Sequence, residues 1–228
     1  MDHTSKQFDN ELADLKTLLL RMGAVVELQL SRALQAVERA DASLIQSVVR
    51  DDRVVNELQM SIDRKTMETI AKRQPAAIDL RQTLCTLQAA GDLERIGDEV
   101  KKIAMRAEQF QTSEKFKVLS LNEVKFMGGL AQSMLKDVLN AFDEANITVA
   151  TDVISRDQAV DREYSRIMKL IASYMAEDPL TVGAGLDIAF LAKSIERVAD
   201  HAQNIGEYVI HIVQGDDPRH STAERQFI

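Results

Sequence analysis

The sequence predicts an all-α protein made of two tandem, pseudo-repeated three-helix bundles with six long helices. Three observations point to this fold: helix breakers are rare, apolar residues recur at helical spacing, and the chain repeats itself. The 228 residues include only three prolines and nine glycines, and aromatic residues make up 4%. Long helices are therefore favoured over strands, because sheets need frequent turns and are enriched in aromatic and β-branched side chains.

Six helices are predicted from the period of the apolar positions and from the residues that interrupt it. Asp41 and Asn146 are expected to cap the second and fifth helices, and Gly215 is expected to close the sixth. The predicted helices cover about 8–40, 42–73, 76–110, 119–144, 147–177 and 181–214. A short polar stretch, 111–115, is the predicted linker between the halves.

An internal repeat relates the first three helices to the last three. Shifting the chain by 105 residues places Gly23 on Gly128 and Asp52 on Asp157. A shift of 102 residues places 93–95 on 195–197. The predicted organisation is a first bundle in 1–113, a second in 114–215 and a polar tail in 216–228.

Composition limits the classes of function. A net charge of −8 argues against binding nucleic acid by neutralising phosphates, since that needs clustered Lys and Arg. The lone Cys85 cannot form an intramolecular disulfide and is expected to be a core thiol. The sequence shows neither a signal-peptide pattern nor an apolar run of about 20 residues, so we expect a cytoplasmic protein without membrane insertion.

The third and sixth helices each carry a second apolar stripe that turns acidic. On the third helix, the stripe that begins at Leu80 and Leu84 continues into Glu94 and Asp98. On the sixth it runs through Val182, Leu186, Ala189 and Lys193 to Glu196 and Asp200. A helix with two apolar faces is expected to lie between two others, so these carboxylates are predicted near packed surfaces.

Carboxylates one turn apart repel each other, and burying them without a partner is costly. A divalent or trivalent cation such as Mn, Mg, Fe or Zn would remove both problems. Further oxygen ligands could come from the second and fifth helices, where acidic or amide side chains also recur one turn apart. The predicted metal ligands are Glu94, Asp98, Glu196 and Asp200, supplemented by Asp52, Asn56, Asp157 and Asp161.

The alternative is a solvated acidic face without an ion. Asp98 could pair with Lys102 on the same helix, although Asn204 replaces that lysine in the second half and weakens this explanation there. His201 is expected to be a surface histidine rather than a metal ligand. The second half is therefore the preferred metal-binding half.

No motif for catalysis is present: the sequence lacks a glycine-rich phosphate loop, a nucleophile arrangement and a zinc-protease motif. We therefore expect a protein that is not an enzyme. Two rival hypotheses stay open, a metal-dependent hydrolase and a helical scaffold that holds no ions.

The acidic segments 93–98 and 195–205 resemble the twin signature of the PhoU family of phosphate-uptake regulators. The turns 71–81 and 174–179 and the stretch 8–12 are similar to that family as well, so the resemblance covers about 8–220. It implies two three-helix bundles that carry metal ions on Glu94, Asp98, Glu196 and Asp200, with Asp52, Asp157 and Asp161 as supplements. This chain departs from the pattern at Glu99 and Lys102, where the second half has His201 and Asn204.

The same resemblance implies a cytoplasmic negative regulator of the phosphate-starvation response. Such a protein couples the ATPase subunit of a phosphate ABC transporter to a membrane sensor histidine kinase. It represses signalling when phosphate is plentiful and often forms a homodimer.

Overall fold

The computed structural model describes residues 6–39, 41–110 and 121–215, without the side chains of 108–110 and 121. This part of the chain is all-α, as predicted, and a short 3₁₀ turn at Pro179–Thr181 precedes the last helix. Helix boundaries agree with the predicted ones to within two residues. The predicted linker and tail lie outside the described residues. The helices are α1 (Lys6–Arg39), α2 (Ala42–Arg73), α3 (Ala77–Phe110), α4 (Leu121–Glu144), α5 (Ile147–Glu177) and α6 (Val182–Gln214).

The predicted caps form where the sequence places them. Asp41 accepts a hydrogen bond from the Ser43 backbone N–H at 2.8 Å, and Asn146 accepts one from the Val149 N–H at 3.2 Å. Gly215 ends α6 with a φ of 84°, a left-handed conformation that favours glycine. Side chains therefore satisfy backbone donors that the first turn of α2 and of α5 would otherwise leave without partners.

Each half is a three-helix bundle, formed by α1–α3 and by α4–α6. The halves join through two helix pairs, α3 with α6 and α1 with α4. Both pairs are antiparallel. Glu99 and Arg106 of α3 contact Arg197 and Asp187 of α6, respectively. Lys16 and Glu38 of α1 likewise pair with Asp143 and Lys125 of α4. α3 and α6 thus occupy the centre of the molecule.

The seam between α1 and α4 shows that the repeat is also a structural symmetry. A Cβ atom at Gly23 would fall less than 3.0 Å from the Leu139 side chain, and one at Gly128 would meet Leu34 equally closely. These two contacts are exchanged by the 105-residue shift, because it relates Gly23 to Gly128 and Leu34 to Leu139. A pseudo-two-fold axis therefore relates the two bundles.

The expectation that Cys85 is a core thiol is confirmed, since Cys85 is 1% exposed and the apolar residues that follow it on the same face of α3 are buried: Ala89, Leu93, Ile96, Val100 and Ile103. The prediction that the second stripe packs against another helix is wrong at its upstream end. Leu84 is 40% exposed and Leu186 is 48% exposed. α6 meets α3 along a different line, one that carries polar side chains. In the described part of the chain, no helix is both long and apolar enough to cross a membrane.

Candidate functional site

The predicted acids of the first half occupy three different environments. Asp52 on α2 is buried, and its Oδ2 lies 2.7 Å from the Nζ of Lys101 on α3. Glu94 is partly buried and Asp98 is exposed. Burial raises the pKa of Glu94, and the neighbouring Asp98 carboxylate raises it further. Among these acids, the most buried one already has a cation of the protein beside it.

The second half concentrates negative charge with less compensation. Burial raises the pKa of Asp157 to about 6, and the carboxylates of Asp161, Asp200 and Glu196 add to that shift. The pKa of Asp200 is raised as well, first by burial and then by Glu196. Asp157 Oδ1 is buried without a hydrogen-bond partner. Because of this burial and the neighbouring carboxylates, the ionised form of Asp157 is disfavoured unless a cation binds beside it.

Lys193 pairs with one acid of this second cluster. Lys193 Nζ contacts both carboxylate oxygens of Glu196, at 2.6 and 2.5 Å, and Glu196 is 9% exposed. Sequence reasoning missed Glu207, one of the carboxylates that raise the pKa of Asp157. It lies seven residues beyond Asp200, two turns further along α6, and that spacing was the signal for it.

The predicted metal ligands share the surface formed by α2 and α3 in one half and by α5 and α6 in the other. In the residues that the structure describes, no three His, Cys, Asp or Glu side chains lie close enough together to hold one ion. The donor chemistry nevertheless suits a hard cation, since it consists of carboxylate oxygens, one of them buried and lacking a partner. The metal assignment stays a prediction, and the second half fits it better.

The ion-free alternative pairs Asp98 with Lys102, but the structure pairs Lys102 with a different acid. Lys102 Nζ donates a hydrogen bond to Glu99 Oε1 at 2.9 Å rather than to Asp98. Arg197 of the other half approaches the same Glu99 oxygen to 3.3 Å. Glu99, one of the two residues at which the first half departs from the family pattern, thus contacts the other half.

A buried polar cluster joins the halves, and the sequence analysis did not anticipate it. Asp92 of α3 is 7% exposed and faces three side chains of α6. Its carboxylate lies 2.7 Å from His201 Nδ1 and accepts hydrogen bonds from Asn204 Nδ2 at 3.2 Å and Tyr208 OH at 2.8 Å. The expectation that His201 lies on the surface is wrong, because the residue is 7% exposed and its ring contacts Asp92 of α3.

The signal for this cluster was present in the sequence. His201, Asn204 and Tyr208 follow a spacing of three and then four, so they form one polar line along α6. Asp92 interrupts the apolar face of α3 beside Leu93. The sequence does not show that the polar line of α6 faces Asp92 of α3, since that depends on how the two bundles dock.

The fold and the acidic stripes define a class of protein: a two-repeat, six-helix bundle with carboxylates at matching places on its two central helices. The sequence pattern of the PhoU domain matches residues 19–107 and 124–209, one match in each half. The chain belongs to the PhoU family.

Relatives and solved structures agree over nearly the whole chain. The chain is 40% identical to the phosphate-specific transport system accessory protein PhoU homolog of Pseudomonas aeruginosa, over 96% of this chain and 90% of that protein. It is 39% identical to the PhoU accessory protein of Escherichia coli K12, with 96% and 90% covered.

Two crystal structures share the architecture. PhoU from P. aeruginosa superposes with a TM-score of 0.88 at 38% identity, covering 92% of this chain and all of that one. The phosphate transport system regulatory protein PhoU from Streptococcus pneumoniae gives a TM-score of 0.84 at 28% identity, with 92% and 98% covered. The all-α two-bundle prediction is confirmed, and an accessory role in phosphate transport follows from the family.

Proposed function

We propose that this protein restrains the phosphate-starvation response by linking a phosphate ABC transporter to a sensor histidine kinase. The observation that carries the proposal is the match of both halves to the PhoU domain, together with relatives named as accessory proteins of phosphate-specific transport. In this mechanism the transporter's ATPase subunit and the kinase bind the helical surface from the cytoplasm. Contact then holds the kinase in its repressing state when phosphate is plentiful.

A strain lacking the protein tests the regulatory part. Under phosphate-rich growth we expect phosphate-regulated genes to be expressed in that strain and to be repressed again when the gene is restored. Unchanged expression in the deletion strain would reject the regulatory role. Pull-downs from crosslinked cells test the two partners, and recovery of neither the ATPase subunit nor the kinase would remove the docking mechanism.

The second part of the proposal is a structural metal ion on the acidic surface. Asp157, Asp161, Glu196 and Asp200 would hold it through carboxylate oxygens after their side chains turn toward one another and Glu196 releases Lys193. A bound cation would neutralise a cluster whose members repel one another. Its effect would be to stabilise the packing of α5 on α6. Catalysis is not part of this proposal.

Melting curves with Mn²⁺, Mg²⁺, Zn²⁺ and iron salts test the metal. We expect at least one to raise the Tm of the wild type and none to raise that of Glu196→Ala/Asp200→Ala, since a ligand that binds only the folded state stabilises it. Equal shifts in both proteins would remove the metal from the proposal. A phosphatase screen with the same metals tests the rival hydrolase, and light scattering on the purified chain tests the homodimer.

A further inference from the structure

The two halves treat one pair of matching acids differently. Asp52 and Asp157 are related by the 105-residue shift, and each lies on the middle helix of its bundle. Asp52 is paired with Lys101 at 2.7 Å, and only 8% of the Asp52 side chain is exposed. Asp157 Oδ1 is buried without a hydrogen-bond partner. Among the described residues, the same position is therefore paired with a cation of the protein in one half and left without one in the other.

The difference arises at one position of the central helices. The 102-residue shift places Lys101 of α3 on Gln203 of α6. Gln203 is neutral, and its Nε2 points at Glu207 Oε1, 3.4 Å away. The first half thus carries an ammonium group where the second half carries an amide that hydrogen-bonds Glu207.

We propose that Lys101 is the built-in cation of the first half, which excludes a divalent metal from Asp52 and confines metal binding to the second half. For the second half the proposal rests on the metal part of the proposed function. For the first half it stands on the Lys101–Asp52 pair alone.

An ammonium group held against a buried carboxylate competes with a metal in two ways. It occupies the carboxylate oxygen, and its tether to α3 keeps it near Asp52 at any metal concentration. If the carboxylate released it, the lysine would still place a positive charge next to the incoming cation, and the two would repel. Either effect weakens metal binding at Asp52.

By the same argument Lys193 weakens Glu196 as a metal ligand, but in the part of the chain that the structure describes it leaves the other acids of the second-half cluster without a cation. Lys193 is engaged with Glu196 on its own helix, three residues away. In the described residues, Asp157, Asp161 and Asp200 form no ion pair with a lysine or arginine within 4.0 Å. Three carboxylates of the second half thus stay open to an added cation.

Exchanging the two residues gives the test, carried out on the full chain with Mn²⁺ as the probe. The second half is first disabled with Asp157→Asn and Asp200→Asn. In that background we expect Mn²⁺ to bind at least about tenfold more tightly after Lys101→Gln than with Lys101 present, as measured by equilibrium dialysis and by the EPR signal of free Mn²⁺. Adding Asp52→Asn should abolish the gained binding.

The matched control is Lys102→Asn in the same background. Like Lys101→Gln, it removes one positive charge and introduces the residue found at the matching position of the second half, Asn204. Lys102, however, binds Glu99 and not Asp52. Mn²⁺ binding after Lys102→Asn equal to that after Lys101→Gln would overturn the proposal, because a general loss of positive charge would explain both.

The reciprocal exchange, Gln203→Lys in the otherwise wild-type chain, keeps the proposal testable if Lys101→Gln fails to fold. We expect it to weaken Mn²⁺ binding at least about tenfold. Unchanged binding after Gln203→Lys would count against the proposal, as would Lys101→Gln that folds and gains no Mn²⁺. A wild type that binds no Mn²⁺ beside a Lys101→Gln variant that does would reject the metal in the proposed function and support the role of Lys101.

Discussion

Asp92→Ala is expected to destabilise the protein strongly, because it removes the acceptor at the centre of the cluster that joins α3 to α6. His201 and Tyr208 are 7% and 8% exposed, so water cannot easily replace the lost carboxylate. A hydrogen bond to a charged group contributes about 1.5–3 kcal/mol. Losing the bonds of His201 and Tyr208 to this carboxylate therefore gives a loss of about 3–6 kcal/mol, and we expect about 4 kcal/mol in the free energy of unfolding.

Urea unfolding followed by circular dichroism measures this loss, with EDTA present so that no metal contributes. The Tm should fall by about 8–16 °C, since 1 kcal/mol corresponds to about 2–4 °C in a protein of this size. Tyr208→Phe alone should cost about 1.5 kcal/mol, because its hydroxyl binds a charged group. In the Asp92→Ala background the same change should cost nearly nothing, since the acceptor is already gone.

The control is Asp98→Ala, which removes an exposed carboxylate from the same helix and should change stability by less than about 0.5 kcal/mol. A loss below about 1 kcal/mol for Asp92→Ala would refute the idea that this cluster holds the halves together. So would a Tyr208→Phe effect of equal size in both backgrounds.

Three further predictions concern single side chains, each measured by urea unfolding. The pKa of Asp157 is about 6 in the folded chain, above its unfolded value, so without metal the wild type loses stability as the pH rises from about 4 to 7. Asp157→Asn should remove about 1 kcal/mol of that loss, allowing for solvent screening, and an unchanged dependence of stability on pH would contradict the raised pKa. Gly23→Ala should cost about 1 kcal/mol in the wild type, because the added methyl group clashes with Leu139. In the Leu139→Ala variant the same change should stabilise by about 1 kcal/mol, since alanine favours the helix, and a cost in both backgrounds would reject the clash. Gln29 is fully buried; its Nε2 donates a hydrogen bond to Val48 O at 3.0 Å, but its Oε1 lacks a partner, and the repeat has Met134 at that position. Gln29→Met should stabilise by about 1 kcal/mol, and a loss would show that the bond to Val48 outweighs the cost of the buried oxygen.

The acidic cluster was predictable in its residues but not in its charge balance. Glu196 and Asp200 interrupt an apolar stripe, and this is visible in the sequence. That Lys101 reaches Asp52 is not visible, because the pair joins two helices and its members are 49 residues apart. Helical spacing relates an acid to cations on its own helix, and for Asp98 that cation is Lys102.

The error at His201 has the same physical origin. Helical spacing tells which side chains share a face, but it does not tell which face meets another element. Viewed on α6 alone, a histidine beside an exposed aspartate looks like a surface residue. Its burial depends on Asp92, which lies 109 residues away on the other bundle.

The sequence by itself determined the six helices, their caps and the repeat, because these depend on short-range periodicity and on local hydrogen bonds. Only the tertiary structure decided how the two bundles dock: antiparallel α3 and α6, with Asp92 between them, and reciprocal Gly–Leu contacts between α1 and α4. Docking depends on the shapes of whole surfaces brought together from distant parts of the chain. For that reason the acids could be named from the sequence, whereas the cations and donors that face them could not.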